Sequence, residues 1–226
     1  MNFSYCNRPV IASRPSRFRV WLLQGLLALF ALGVHAAPAS TSPAVLVIGD
    51  SLSAGYGLAT GQGWVDLLQK KLLSQGFQYR VVNASISGDT TAGGRSRIAA
   101  SMATHRPAIV IIELGGNDGL RGNTLAPVKA NLEYMVEAAR RAGAQVLLLG
   151  MQLPPNYGTT YVRQFSSLFA DVAKAHDVAY VPFILQGFGE KPELFQADRI
   201  HPNAQAQPLM VENVWPELKK LIARRH

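Results

Sequence analysis

The chain has 226 residues, of which 48% are hydrophobic, and 22 Lys and Arg against 14 Asp and Glu give a net charge of +8. No internal repeat or low-complexity stretch is present, so the composition is that of a folded protein rather than a fibrous or repetitive one. The chain also lacks a long run of Lys or Arg that would follow a phosphate backbone, and we therefore expect no nucleic-acid partner.

The first 36 residues have the pattern of a secretory signal peptide. Four arginines and no acidic residue stand in this segment, the arginines all before the apolar run Val20–Val34, and small residues surround Ala36. We predict cleavage after Ala36 and export to the periplasm or beyond, followed by a short linker over residues 37–43 and one domain over residues 44–226. The apolar run is shorter than the roughly 20 residues of a membrane span, so an uncleaved anchor is the less favoured alternative.

Removal of this leader changes the net charge and the cysteine content of the chain. The net charge falls from +8 to +4 because four arginines are lost, and the single cysteine, Cys6, is lost with them. The mature chain then has no thiol for a disulfide or a cysteine metal site. About 190 residues are enough to bury a full core without such cross-links. We expect a monomer or a weak oligomer.

Five short apolar segments of the mature chain predict β-strands. The third and fourth are nearly continuous Ile, Val and Leu, which is typical of strands covered on both faces. In chain order the segments are Val45–Ile48, Tyr79–Val82, Ala108–Leu114, Gln145–Leu149 and Val178–Phe183.

Amphipathic stretches lie between these segments and predict helices. In residues 128–141 the apolar side chains repeat at helical spacing, and charged residues occupy the opposite face. Similar stripes are formed by Trp64, Leu68 and Leu72, and by Val162, Phe165, Phe169 and Val172. A last helix starts near Ala204 and contains Pro208 and Pro216, and we predict that it is kinked or broken at the second proline.

The alternation of strand and helix predicts the architecture. Parallel strands joined by right-handed crossover helices form a three-layer α/β/α sandwich, here around a five-stranded sheet. In such folds ligands bind at the carboxyl ends of the strands. The residues that follow each predicted strand are therefore the place to look for a functional site.

A polar cluster follows every predicted strand, and the first four of these clusters contain glycine. Since the carboxyl ends of parallel strands share one edge, all of these clusters fall on the same side of the predicted sheet. The clusters are Gly49-Asp50-Ser51-Leu52, Ser87-Gly88-Asp89-Thr90, Gly115-Gly116-Asn117-Asp118, Leu153-Pro154-Pro155-Asn156-Tyr157-Gly158 and, further from the last strand, Asp198-Arg199-Ile200-His201.

Two of these clusters contain the groups of a hydrolytic serine. Ser51 is a candidate nucleophile, His201 a candidate base, and Asp198 a candidate partner that orients the imidazole. Of the other histidines in the mature chain, His105 and His176 precede strands and so belong at the opposite edge, and the last is the terminal residue. Taken alone, a loop serine is more often a turn or helix-capping residue, so the combination carries the hypothesis.

Candidate donors to an oxyanion follow the second and third strands. The Gly88 N–H and the Asn117 side-chain amide can stabilise negative charge, together with the backbone N–H of Ser51. Glycine permits close approach to the main chain. Each residue taken singly could equally be a turn residue.

Together these residues resemble the SGNH (GDSL) hydrolase superfamily, and more narrowly the bacterial periplasmic multifunctional thioesterase, lysophospholipase and arylesterase group. The resemblance implies a flavodoxin-like sheet, Ser51, Gly88, Asn117 and His201 as the family's named positions, Asp198 as the third triad member, and no metal or organic cofactor. It rests on Gly-Asp-Ser-Leu-Ser-Ala-Gly-Tyr (49–56), Asn-Ala-Ser-Ile-Ser-Gly-Asp-Thr (83–90), Gly-Gly-Asn-Asp-Gly-Leu-Arg-Gly (115–122) and Asp198-x-x-His201-Pro202-Asn203.

The expected activity is hydrolysis of a small-molecule carboxylic ester or thioester. We expect Leu120, Leu153 and Tyr157 to line the acyl pocket, although core packing could explain the same residues. The chain departs from the group at Gly93-Gly94, which should loosen the second long helix, and at Arg199, which puts a cation beside the catalytic turn.

Three alternatives stay open at this point. Asp50, Asp89 and Asp118 also follow strands and could hold Mg²⁺ for a phosphatase, although that hypothesis gives Asn117 and His201 no role. A non-catalytic binding module could use the same fold. A carbohydrate O-acetylesterase would use the same serine site on another substrate.

Overall fold

A computed structural model describes residues 42–224, which surround a single parallel sheet. The predicted signal peptide and most of the predicted linker lie outside the described residues. Within the described part of the chain, no helix is long and apolar enough to cross a membrane.

The sheet has five strands in the order β2-β1-β3-β4-β5, and every neighbouring pair is parallel. All side chains of β1 and β3 are buried, as the continuous apolar segments predict. This strand order is the flavodoxin-like one, which confirms the predicted fold class. The strands are β1 (Ala44–Gly49), β2 (Arg80–Asn83), β3 (Ile109–Glu113), β4 (Gln145–Leu149) and β5 (Ala179–Val181).

Helices cover both faces of the sheet. The helices of residues 42–224 are α1 (Ser51–Ala54), α2 (Trp64–Ser74), α3 (Thr91–His105), α4 (Gly116–Leu120), α5 (Leu125–Arg141), α6 (Thr159–Ala175) and α7 (Gln207–Ala223). Helices α2 and α7 pack together, and α5 packs against both α3 and α6, so the helices form two layers. The predicted apolar stripe of α5 is the face that is buried: Val128, Leu132, Met135, Val136 and Ala139.

The last helix differs from its prediction. Helix α7 begins at Gln207 instead of near Ala204, and it runs through Pro216 without a break. Pro208 lies in the first turn, where the backbone N–H groups have no acceptor within the helix, so the missing N–H of proline breaks no helical hydrogen bond. Pro216 is on the exposed face, so water can solvate the carbonyl left without a partner, while the buried face holds the helix against the sheet.

The paired glycines of α3 do not interrupt the helix. The helix is continuous from Thr91, with the Thr90 side chain as its cap. A Cβ on Gly94 would lie 2.3 Å from Cδ1 of Leu114 and 2.8 Å from Sδ of Met135. Glycine at this position therefore lets α3 pack closely against the end of β3 and against α5.

Candidate active site

Ser51 is the first residue of α1, directly beyond the carboxyl end of β1. Asp50 caps this short helix, because its Oδ1 accepts a hydrogen bond of 3.0 Å from the Leu52 N–H. Strand β1 lies between β2 and β3, which is where the strand order reverses and where ligands bind in folds of this class. The serine is thus held at the edge of the sheet that the sequence predicts.

The imidazole of His201 lies beside this serine. Its Nε2 is 2.8 Å from Oγ of Ser51, and its Nδ1 is 2.7 Å from Oδ2 of Asp198. The three side chains form a continuous chain of hydrogen bonds from residues separated by 150 positions in sequence. His105 and His176 end helices on the approach to β3 and β5, at the opposite edge.

Asp198 also organises the turn that carries the histidine. Its Oδ1 accepts hydrogen bonds from the N–H groups of Ile200, at 2.9 Å, and His201, at 3.0 Å. These backbone bonds, led by that from His201, lower the pKa of Asp198 to about 2. The carboxylate is therefore ionised at neutral pH and can accept the Nδ1–H of the imidazole.

Three potential oxyanion donors meet near Ser51. The N–H groups of Ser51 and Gly88 donate no hydrogen bond to another residue within 42–224. Asn117 stands in α4, and its Nδ2 donates to Oδ2 of Asp50 at 3.1 Å and to the carbonyl oxygen of Asp89 at 2.9 Å. Because Asp50 adjoins Ser51 and Asp89 adjoins Gly88, this amide connects the two segments that carry the free N–H groups.

A buried acidic pair lies beneath the serine. Oε2 of Glu113 accepts a hydrogen bond of 2.6 Å from the Ser53 hydroxyl and one of 3.4 Å from the Asp50 N–H. Burial raises the pKa of Asp50 to about 6, and burial followed by the nearby Asp50 charge raises the pKa of Glu113 well above its usual range. Since two like charges in one buried site disfavour each other, ionisation of one carboxylate favours the protonated form of the other.

Arg97 supports the loop that carries Gly88. Its guanidinium donates to Oδ2 of Asp89 at 2.8 Å, to the Gly49 carbonyl at 3.2 Å, and to the Ala84 carbonyl. A single side chain from α3 thereby joins the end of β1 to the loop after β2. Sequence reasoning did not single out Arg97, although a cation eight residues after Asp89 is a detectable signal.

The three residues predicted to line an acyl pocket differ in their burial and contacts. Leu120 is exposed at the end of α4, and its carbonyl accepts a hydrogen bond of 3.1 Å from the Tyr157 hydroxyl. Leu153 is buried, and a Cβ on Gly119 would lie 2.8 Å from its Cδ2, so its side chain packs beneath α4. A substrate contact for these three residues stays a prediction.

Sequence reasoning missed the residues that surround the serine and histidine most closely. The Tyr56 ring lies 4.5 Å from the His201 ring, centroid to centroid, and is largely exposed. Tyr56 belongs to the first sequence block, but nothing in the pattern indicates where its ring points. A small pocket at the site is lined by Ser51, Leu52, Gly55, Tyr56, Leu58, His201, Pro202 and Gln207.

The three aspartates of the magnesium alternative have other partners. Asp50 binds Leu52 and Asn117, Asp89 binds Arg97, and Asp118 accepts two hydrogen bonds from Thr91. Over residues 42–224, no group of three or more His, Cys, Asp or Glu is arranged to hold a metal ion. These carboxylates instead fix the loops around the site.

Comparison with known proteins shows which family the chain belongs to. The chain is 54% identical over 204 residues to "Esterase TesA" of Pseudomonas aeruginosa, covering 90% of this chain and all of that protein. It is 40% identical over 196 residues to "Thioesterase 1/protease 1/lysophospholipase L1" of Escherichia coli K12, covering 87% and 91%. A solved structure of TesA superposes with a TM-score of 0.77 at 57% identity, over 79% of this chain and 99% of that one. Residues 47–208 match the profile of the GDSL-like lipase/acylhydrolase family, to which this chain belongs.

Proposed function

We propose that the protein hydrolyses carboxylic esters and thioesters through an acyl-enzyme formed on Ser51. The observation that carries this proposal is the unbroken hydrogen-bond chain from Ser51 through His201 to Asp198. The family relationship supports the same class of reaction, because its characterised members above are named as esterases and thioesterases.

In this mechanism His201 takes the hydroxyl proton while Oγ of Ser51 attacks the acyl carbonyl. The Asp198 carboxylate keeps the Nδ1–H tautomer in place and stabilises the imidazolium. The tetrahedral intermediate collapses when His201 gives the proton to the leaving alkoxide or thiolate. Water then attacks the acyl-enzyme while His201 takes its proton, and collapse of the second intermediate returns that proton to Oγ of Ser51 and releases the acid.

The oxyanion is stabilised by the N–H groups of Ser51 and Gly88 and by the Asn117 amide. The first two are unengaged within the described chain and need no rearrangement. Both hydrogens of the Asn117 amide are already bonded, to Asp50 and to the Asp89 carbonyl. Donation by Asn117 therefore requires that one of these bonds be shared with the substrate oxygen or be released.

Substitution of the proposed nucleophile and base tests the mechanism. Ser51→Ala and His201→Ala should each reduce hydrolysis of a p-nitrophenyl ester by about 10⁴-fold or more and leave the circular dichroism spectrum unchanged. Matched controls are Ser166→Ala and His105→Ala, which remove the same groups from α6 and α3, away from the site. A wild-type rate in Ser51→Ala contradicts the proposal.

We also propose that the protein acts after export. The support is the sequence of the first 36 residues, with arginines followed by a mainly apolar run of 15 residues and small residues at the predicted cleavage point. The exported protein should then begin at Ala37, which N-terminal sequencing of material from the periplasm or medium measures. Recovery of active protein only in the cytoplasm contradicts this part of the proposal.

A further inference from the structure

The loop that carries the base is closed by its own backbone. We define the base loop as residues 195–202, which contain Asp198 and His201. Its two ends pair as an antiparallel bridge between Phe195 and Pro202, and the Gln196 N–H donates to the His201 carbonyl at 2.8 Å. The loop is largely exposed, so its position over Ser51 depends on a small number of contacts.

One side chain ties the base loop to the segment that follows the nucleophile. Nε2 of Gln196 donates to the Pro202 carbonyl at 3.2 Å, within the loop, and to the Tyr56 carbonyl at 2.8 Å, across 140 residues of sequence. A single carboxamide therefore holds both ends of the base loop and the backbone just beyond α1, which begins with Ser51.

The opposite segment is shaped to accept this side chain. Gly57 follows Tyr56 with φ of 72°, and a Cβ at this position would lie 2.0 Å from Oε1 and 2.9 Å from Cδ of Gln196. Any larger residue would displace the carboxamide from its place. Both sides of the contact are thus built for it: a donor on the base loop and an absent side chain opposite.

We propose that Gln196 is a positioning residue for the reaction, and that its carboxamide sets the distance between the His201 imidazole and the Ser51 hydroxyl. This inference rests on the proposed function of the site. The Tyr56 ring contacts His201 from the same segment, at an angle of 40° between the ring planes, so displacement of this segment changes both the 2.8 Å contact to Ser51 and the contact between the two rings. A displacement of about 1 Å in a catalytic group can reduce the rate by about 10²-fold.

Steady-state kinetics of Gln196→Ala on a p-nitrophenyl ester tests the proposal. We expect kcat to fall by about 10- to 100-fold, with KM changed less than about twofold, because the loss concerns alignment and not substrate binding. The matched control is Gln205→Ala, since Gln205 is exposed nearby and its side chain makes no hydrogen bond within residues 42–224. Wild-type kcat in Gln196→Ala overturns the proposal.

A second variant keeps the test informative if Gln196→Ala folds poorly. Gln196→Glu preserves the shape, but an ionised carboxylate would face the carbonyls of Tyr56 and Pro202 and could donate to neither. Protonation restores one donor. The activity of Gln196→Glu relative to wild type should therefore rise several-fold as the pH falls from about 8 to about 5. A pH-independent ratio contradicts the proposed donor role.

A double-mutant cycle separates positioning from general structural damage. In a His201→Ala background, Gln196→Ala should change the residual rate by less than about twofold, because Gln196 acts through the imidazole. A loss of the same size in both backgrounds overturns the proposal. Failure of the proposed function is distinguishable from this, since it would appear as a wild-type rate in His201→Ala itself.

Discussion

At the scale of single residues, the site depends on carboxylates in very different surroundings. Asp198 is 36% exposed, accepts three hydrogen bonds and is ionised. Asp50 is buried, and its pKa is raised to about 6 by burial. Asp198 accepts a hydrogen bond from the imidazole, and Asp50 accepts one from the Asn117 amide. Water screens the charge of the exposed Asp198 more strongly than that of the buried Asp50.

Because of this screening, Asp198→Asn should be milder than loss of the nucleophile or base. The amide oxygen can still accept the two backbone N–H bonds that form the turn, so His201 stays near Ser51. With that oxygen on the backbone N–H groups, the new NH₂ group faces Nδ1 and favours the tautomer that carries its proton on Nε2, which cannot take the Ser51 proton. We expect kcat/KM for a p-nitrophenyl ester to fall by about 10⁴-fold, against about 10⁶-fold for Ser51→Ala. Equal losses in the two variants would show that the charge of Asp198 is indispensable.

Asp50→Asn tests the other carboxylate. If the new side-chain oxygen keeps the cap on Leu52, its NH₂ group faces the Asn117 amide, and two donors then oppose each other. Asn117 should turn away from the site, and kcat should fall by about 10²- to 10³-fold, the order of one lost oxyanion donor. Asp66→Asn, an exposed change in the first turn of α2, is the matched control. Unchanged kcat in Asp50→Asn would remove the proposed role of Asn117 orientation.

The catalytic candidates could be named from sequence, whereas their supports could not. Ser51, His201 and Asp198 stand in short, recognisable clusters. Because the carboxyl ends of parallel strands share one edge of the sheet, these clusters are expected to lie close together. Glu113 is a weaker indication of a functional role, because it is only a single charged residue at the end of an apolar strand. Gln196 and the Tyr56 ring gave no such indication, because a contact across 140 residues depends on side-chain directions that no local pattern contains.

At the scale of elements, long periodic helices were predictable and short ones were not. The apolar residues of α5 repeat at helical spacing over several turns, and this pattern predicts the buried face of the helix. Helices α1 and α4 have four and five residues, fewer than a periodicity needs, yet they begin at or beside the proposed nucleophile and oxyanion donor. Pro216 does not break α7 and the paired glycines do not interrupt α3, because packing of these helices outweighs the low helix propensity of single residues.

A substitution in helix α3 therefore tests whether close packing or helix propensity has the larger effect on stability. Alanine is favoured over glycine in a helix by about 1 kcal/mol. Gly94→Ala should nevertheless destabilise the protein, by about 1–2 kcal/mol in urea denaturation, because its Cβ would collide with Leu114 and Met135. Ala100→Ser adds one atom at an exposed position of the same helix and should cost about 0.5 kcal/mol or less. A stabilised Gly94→Ala would contradict the close packing.

At the scale of the whole molecule, the fold was predictable because its layers repeat one simple pattern. Buried parallel strands read as continuous apolar segments, and the connecting helices read as amphipathic stripes. These signals determine the order of elements and the edge that holds the site. They do not determine loop conformations, so the conformation of the base loop had to come from the structure.

The stability of the whole fold should depend on the buried Asp50. Its pKa is raised from 3.8 to about 6, so between these pH values the folded state binds more protons than the unfolded state, and stability falls as the pH rises. The lowered pKa of Asp198 acts oppositely, adding stability that is lost as the pH falls from about 4 towards 2. Urea denaturation of wild type and Asp50→Asn isolates the first effect. The difference in the free energy of unfolding should shift in favour of the variant between pH 4 and 6, and a constant difference would contradict it.

The central claim is that Ser51 is the nucleophile, and covalent labelling tests it most directly. The protein would be treated with diisopropyl fluorophosphate and digested with trypsin, and the modified peptide sequenced by mass spectrometry. We predict one phosphorylated residue, Ser51, in the peptide that ends at Lys70, together with loss of esterase activity in proportion to labelling. Stoichiometric labelling of any other residue, or full activity after Ser51 is modified, would contradict the account.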